Sequence, residues 1–190
     1  MQTNRFETFI DAIIAILLTI LVLKIPQPVE PTLSAIWELR VPYLAYLISF
    51  LILFNIWYSN HKLFQKVENI DNTVVWIYGI MTFIISLVPY FTIWVAKNVN
   101  SIPAETMFGL IFVSTNILYT SSVKSIYRSN PYNKELQETD KTLYYHNSPL
   151  IVIFLGFILT YTIFRPGIYI SCLAAVIMWI YIGWRAENGN

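Results

Sequence analysis

The run "RFETFIDAIIAILLTILVLKI", residues 5–25, carries Arg5, Glu7 and Asp11 in its first two turns and is otherwise almost wholly Ile, Leu, Val, Ala, Phe and Thr. A hydrocarbon core about 30 Å thick is crossed by a helix of roughly 20 apolar residues, so this stretch reads as a membrane span with charges at its mouth. Arg5 ahead of an apolar core also suits a signal peptide. Asp11 inside that core, Lys24 near its end and the lack of a small-x-small cleavage site favour a retained first span instead.

The rest of the chain agrees with a membrane protein. Of 190 residues, 56% are hydrophobic and 12% charged, and the mean hydropathy is positive. This composition excludes an ordinary soluble domain. No basic face for nucleic acid is present. The single Cys172 allows no intrachain disulfide. Further apolar stretches at 41–63, 74–96, 104–126, 148–165 and 167–184 join the first, at about 6–25, to predict an all-α domain of six spans over residues 1–190. Pro26, Pro28 and Pro31 end the first span, Pro103 opens the fourth and Ser148-Pro149 the fifth. Arg165-Pro166-Gly167 makes a tight turn between the last two, which read as a short helical hairpin. The polar stretch "KELQETDKTLYYH" is expected to form a surface helix.

Lys and Arg set the orientation, because cytoplasmic loops carry their excess. With the N-terminus inside, Arg5, Lys62, Lys66, Lys124, Arg128, Lys134, Lys141 and Arg185 face the cytoplasm. Lys24, Arg40, Lys97 and Arg165 face out. Eight against four places both termini inside.

Polar groups within spans are informative, since an ionised side chain at helix centre costs at least about 2.5–3.5 kcal/mol. Asp11 and His61 both fall near the inner face and are expected within reach of each other, either as residues wetted by headgroups or as a functional pair. Glu7 and Asp11, at i and i+4, form a like-charge pair that needs a cation or donor from elsewhere, with Arg5 and His61 as candidates. A second face of the same helix carries Phe9, Ala12, Ile16, Thr19, Ile20 and Leu23 at spacings of three and four. It is either a packing stripe or an exposed one, and Ile16 and Leu23 are bulky for the small-residue packing usual between helices in lipid. Pro89 should kink the third span, leaving Thr92 near the loosened backbone.

There is no T-V-G-Y-G filter, phosphate loop, zinc helix or nucleophile elbow, and His61 and His146 are too few for a metal centre. The motifs that are present, Arg5-x-x-x-Phe9-x-Asp11-Ala12, Trp57-x-x-x-His61 and Leu87-Val88-Pro89-Tyr90-Phe91-Thr92, resemble those of the endolysosomal and prokaryotic potassium channels of the transmembrane protein 175 family. The family pattern R-x-x-x-F-S-D is met except that Ile10 replaces serine.

The resemblance implies a potassium-permeable cation channel of the prokaryotic plasma membrane, a homotetramer of six-span subunits whose first helices line the pore. By position it assigns Ile16 to the narrowest ring, Leu23 to a second apolar ring, Thr19 to potassium preference, and Ala12 and Ile20 to the pore wall. Arg5, Phe9, Asp11, Trp57 and His61 become an inner network. Potassium ions, the bilayer and further copies of the chain are the expected partners, with no cofactor and no catalysis. The competing expectation is a proton-conducting or proton-coupled transporter that relays protons through Asp11 and His61. A membrane enzyme would need the same pair as acid and base.

Overall fold

The computed structural model describes residues 3–134, 136 and 148–188 of the chain. The helices are α1 (Thr3–Leu23), α2 (Leu33–Glu38), α3 (Arg40–Phe64), α4 (Asn72–Ser86), α5 (Val88–Lys97), α6 (Ile102–Ser129), α7 (Ser148–Thr162) and α8 (Gly167–Asn188). Four segments have the length and apolarity to cross a membrane: α1, α3, α4 with α5 as one broken rod, and α6. The apolar parts of α7 and α8, Pro149–Thr162 and Gly167–Ile182, are shorter. Of the six expected spans, four therefore meet the length requirement and the last two form the compact hairpin. The segment expected as a surface helix lies outside the described residues apart from Lys134 and Leu136. Arg5, Lys62, Lys66 and Arg128 lie at or next to helix ends, and Lys124 lies in the last two turns of α6.

Helix boundaries follow local chemistry. Asp71 Oδ1 accepts from Val74 N at 2.9 Å and caps α4. Thr32 caps the short α2 through Ala35 N, a helix that the three prolines after α1 concealed from the sequence reading. Proline occupies the first turns of α5 and α6, where its missing N–H costs nothing. At the kink expected from Pro89 the helical ladder is interrupted for one residue, Leu87, which itself keeps a right-handed helical conformation. Proline cannot donate to the Ile85 carbonyl, and the chain tightens there with Leu87 N on Ile84 O and Tyr90 N on Leu87 O, both at 3.1 Å. Thr92 Oγ1 donates to Val88 O at 2.7 Å and lies 2.7 Å from Ser49 Oγ of α3. The broken rod is thereby bonded to its neighbour.

In lipid the helices gain little from excluding water from one another, so close packing and interhelical hydrogen bonds hold them. α7 packs on α8, α4 on α6, and α1 on α3. A Cβ on Gly156 would collide with the Ser171 hydroxyl, and one on Gly109 would meet Ile168 Cγ2 at 2.6 Å. These glycines let the hairpin lie backbone to backbone and seat it on α6. The N-terminus of α8 is also tied down: Thr160 Oγ1 accepts from Ile168 N and Glu105 Oε2 from Tyr169 N, each at 2.8 Å. Glu105 is fully buried and bonds one orphan donor of α8, Tyr169 N, from the first turn of α6.

Candidate pore face and inner mouth

α1 divides into two faces. Phe6, Ile10, Ile14, Leu17 and Leu21 are buried against the rest of the subunit. Phe6 anchors this face, packing edge-on against Phe64 at 5.7 Å and Tyr78 at 5.3 Å between ring centroids. Tyr78 is itself fixed by donating to Asn60 Oδ1 at 2.9 Å. The other face, with Phe9, Ala12, Ile16, Thr19, Ile20 and Leu23, is open along its length. Phe9 is 56%, Ile16 57% and Leu23 81% exposed. The Thr19 hydroxyl donates to Ile16 O at 2.7 Å, which commits its proton to the backbone and leaves its oxygen lone pairs free to accept.

At the opposite end of α1 from Leu23, His61 of α3 reaches back. Its Nδ1 lies 3.0 Å from Glu7 Oε1 and its Nε2 lies 2.9 Å from Gln65 Nε2. An amide nitrogen only donates, so with this amide orientation Nε2 accepts and Nδ1 carries the proton given to Glu7. The Trp57 ring stacks on His61, 5.7 Å between centroids and 7° between planes, and its side chain is the hydrogen-bond neighbour of Asp11. Asp11 Oδ1 is buried with no hydrogen-bond partner among the described residues. His61 thus bonds Glu7, not Asp11, while Trp57 connects Asp11 to the same stack. Arg5 is exposed, and no bond among the described residues joins it to this cluster.

The ladder to which Trp57 and His61 belong went unread in the sequence. Tyr46, Phe50, Phe54, Trp57 and His61 lie on one face of α3 at spacings of four, four, three and four. Their successive centroids are 5.8, 6.2, 5.4 and 5.7 Å apart. That spacing was available as a signal, but aromatic residues in membrane helices are common enough to hide it. Gln65 and Glu105 were also missed. For Gln65 the clue was its place four residues after His61, and for Glu105 it was an acid just inside an apolar stretch. Among the described residues no three His, Cys, Asp or Glu side chains converge on a point that could hold a metal ion.

Comparison with known proteins adds to this geometry. The family model described as "Endosomal/lysosomal potassium channel TMEM175" matches residues 5–89, which run from the start of α1 to the α4–α5 break. A protein named potassium channel, from Chryseobacterium sp. (strain P1-3), is 27% identical over 99% of this chain and 97% of its own length. The protein named endosomal/lysosomal proton channel TMEM175, from Danio rerio, is 25% identical over 94% of this chain and 38% of its own length. The fold is similar to that of the crystal structure described as a lysosomal potassium-selective channel TMEM175 homolog from Chamaesiphon minutus. There the TM-score is 0.77 and the identity 23%, covering 96% of this chain and 97% of the other.

Proposed function

From the match of residues 5–89 to the TMEM175 model and the likeness along the whole chain to a protein named potassium channel, we propose that the chain is a member of that family, a potassium-permeable membrane channel and not an enzyme, a homotetramer of six-span subunits in which α1 of each subunit lines the pore. The observation that carries this reading is the divided helix. One face of α1 is packed into its own subunit, and the opposite face, from Phe9 to Leu23, is left open. In this reading four open faces surround an axis, with one ring of Ile16 at the narrowest point, Leu23 as a second apolar ring, and Ala12 and Ile20 on the wall.

An apolar ring admits an ion only after partial dehydration, and potassium holds its water less tightly than sodium. Thr19 sharpens the preference: its proton is held by the Ile16 carbonyl, so its oxygen can replace a lost water on a passing cation. The selectivity is modest, below that of a carbonyl-lined filter. Glu7, Asp11, Trp57 and His61 hold the inner end of α1 against α3, which keeps the stripe aimed at the axis. Both termini are cytoplasmic, and the membrane is the prokaryotic plasma membrane.

The test is the reversal potential of the purified protein in liposomes under a potassium/sodium gradient. A potassium-favouring potential that Ile16→Asn alters is expected. No current, or a current indifferent to Ile16→Asn, would sink the proposal.

A second reading, proton conduction, is favoured by one observation: the buried Asp11 Oδ1 lacks a partner beside the Glu7–His61 bond. In that case Asp11→Asn abolishes proton flux in liposomes that show no potassium current at any pH.

A further inference from the structure

Two cations of this chain line one largely apolar groove. Lys24 follows the last turn of α1 and Lys97 ends α5, and both line a groove of about 430 Å³ between these helices. Leu17, Ile20, Pro89 and Ile93 line its apolar length, and Tyr90 and Trp94 flank it. Leu17 lies seven residues before Lys24 and Pro89 eight before Lys97, so the apolar part runs roughly 10–12 Å from the lysines toward the membrane centre. The lysines stand on the membrane side opposite the N-terminus of α1.

Each ammonium alone is accounted for by the C-terminal carbonyls of its own helix. The dipoles do not account for both converging on one apolar groove. Lys24 and Lys97 are exposed, and among the described residues no carboxylate pairs with either. An occupant with an anion at the depth of the lysines and an apolar tail reaching Leu17 and Pro89 matches both the charge and the apolar length of the groove. A membrane phospholipid has that shape, and Tyr90 and Trp94 are the residue types that settle at headgroup depth.

We propose that the groove between α1 and α5 binds one anionic phospholipid, its phosphate between Lys24 and Lys97 and an acyl chain along Leu17, Pro89 and Ile93. The proposal rests on the reading of α1 and α5 as membrane-spanning and is independent of which ion is conducted; Ile20, which the channel reading assigns to the pore wall, is where the groove borders that wall.

The experiment is native mass spectrometry of the full chain, purified in detergent and titrated with phosphatidylglycerol or phosphatidylcholine, with liposome conductance measured on the same preparations. Phosphatidylglycerol is expected to bind at the lower concentration. Each lysine near an anionic headgroup contributes roughly fivefold in affinity, so K24Q/K97Q raises the half-saturating concentration about 25-fold. Arg165→Gln, which removes an exposed cation from the α7–α8 turn, leaves it unchanged. Ile93→Trp, which fills the groove and keeps both lysines, also weakens binding. Equal binding of the two lipids, or a K24Q/K97Q variant that binds phosphatidylglycerol like the parent, overturns the proposal. Loss of the oligomeric mass in K24Q/K97Q with lipid binding unchanged places a second copy of the chain in the groove and likewise overturns it. A conducting protein without lipid preference removes the lipid site alone; a lipid-selective protein that conducts nothing removes the channel reading alone.

Discussion

Ile14 and Ile16 sit two residues apart on α1, about 200° around the helix, and truncating each to alanine should have opposite consequences. Ile14 is 1% exposed and Ile16 57%. Ile14→Ala leaves a cavity among the side chains buried between α1 and its neighbours. In soluble cores such truncations cost about 2–5 kcal/mol. Within lipid the water-transfer part of that cost is absent and the lost van der Waals contact remains, so about 2 kcal/mol is expected. For a chain of this length that lowers the melting temperature by about 4–8 °C. Ile16→Ala removes a side chain that touches little of its own subunit and should shift stability by no more than about 0.5 kcal/mol. It widens the proposed constriction, so potassium current rises and the preference over sodium falls. The assay pairs thermal melting in detergent, followed by size-exclusion chromatography, with liposome flux on the same samples. Ile14→Ala with unchanged melting would refute the assignment of the buried face. Ile16→Ala with lowered melting and unchanged flux would refute the assignment of the open one.

Three further outcomes follow from individual bonds. Glu105→Leu strips the acceptor from Tyr169 N and buries an orphan donor at a cost of about 1–3 kcal/mol, whereas Glu105→Gln keeps an acceptor oxygen and stays within about 1 kcal/mol; melting curves that do not separate the two variants would count against the cap. His61→Phe preserves the stack on Trp57 but loses the bond to Glu7, so hydrogen exchange in the first two turns of α1 should quicken while that of α6 is unchanged. Gly156→Val cannot be accommodated against Ser171 and should prevent folding of the hairpin, seen as loss of a monodisperse elution peak, while Gly79→Ala, where a Cβ meets nothing within 4 Å, is tolerated.

The sequence carried the coarse architecture because the membrane imposes long apolar runs that single residues cannot disguise. Pro103, Ser148-Pro149 and Arg165-Pro166-Gly167 gave the starts of α6 and α7 and the hairpin turn within a few residues. Composition could not give what depends on a partner in space. Pro89 announced a kink, but the depth of the break and its fastening by Ser49 are set by a residue 40 positions earlier in the chain. His61 was expected as a donor for the Glu7 and Asp11 pair and does bond Glu7; it stays within electrostatic reach of Asp11, whose own hydrogen-bond neighbour is Trp57, a division that spacing alone does not show. Glu105 carries no signal in the sequence beyond an acid at the start of an apolar stretch, and only the return of α8 to the same level makes its carboxylate a cap. The open stripe on α1 was legible as periodicity, because residues three and four apart share one side of a helix.

The central claim is that the open face of α1 meets ions in an aqueous path. Single cysteines placed in turn at residues 12 to 23, in a Cys172→Ala background, can be challenged with a membrane-impermeant thiol reagent while potassium current is recorded. The account predicts block at positions 12, 16, 19, 20 and 23, with positions 14, 17 and 21 unaffected. Current that survives modification at Ile16 and Thr19, or block that follows the buried positions, would contradict it.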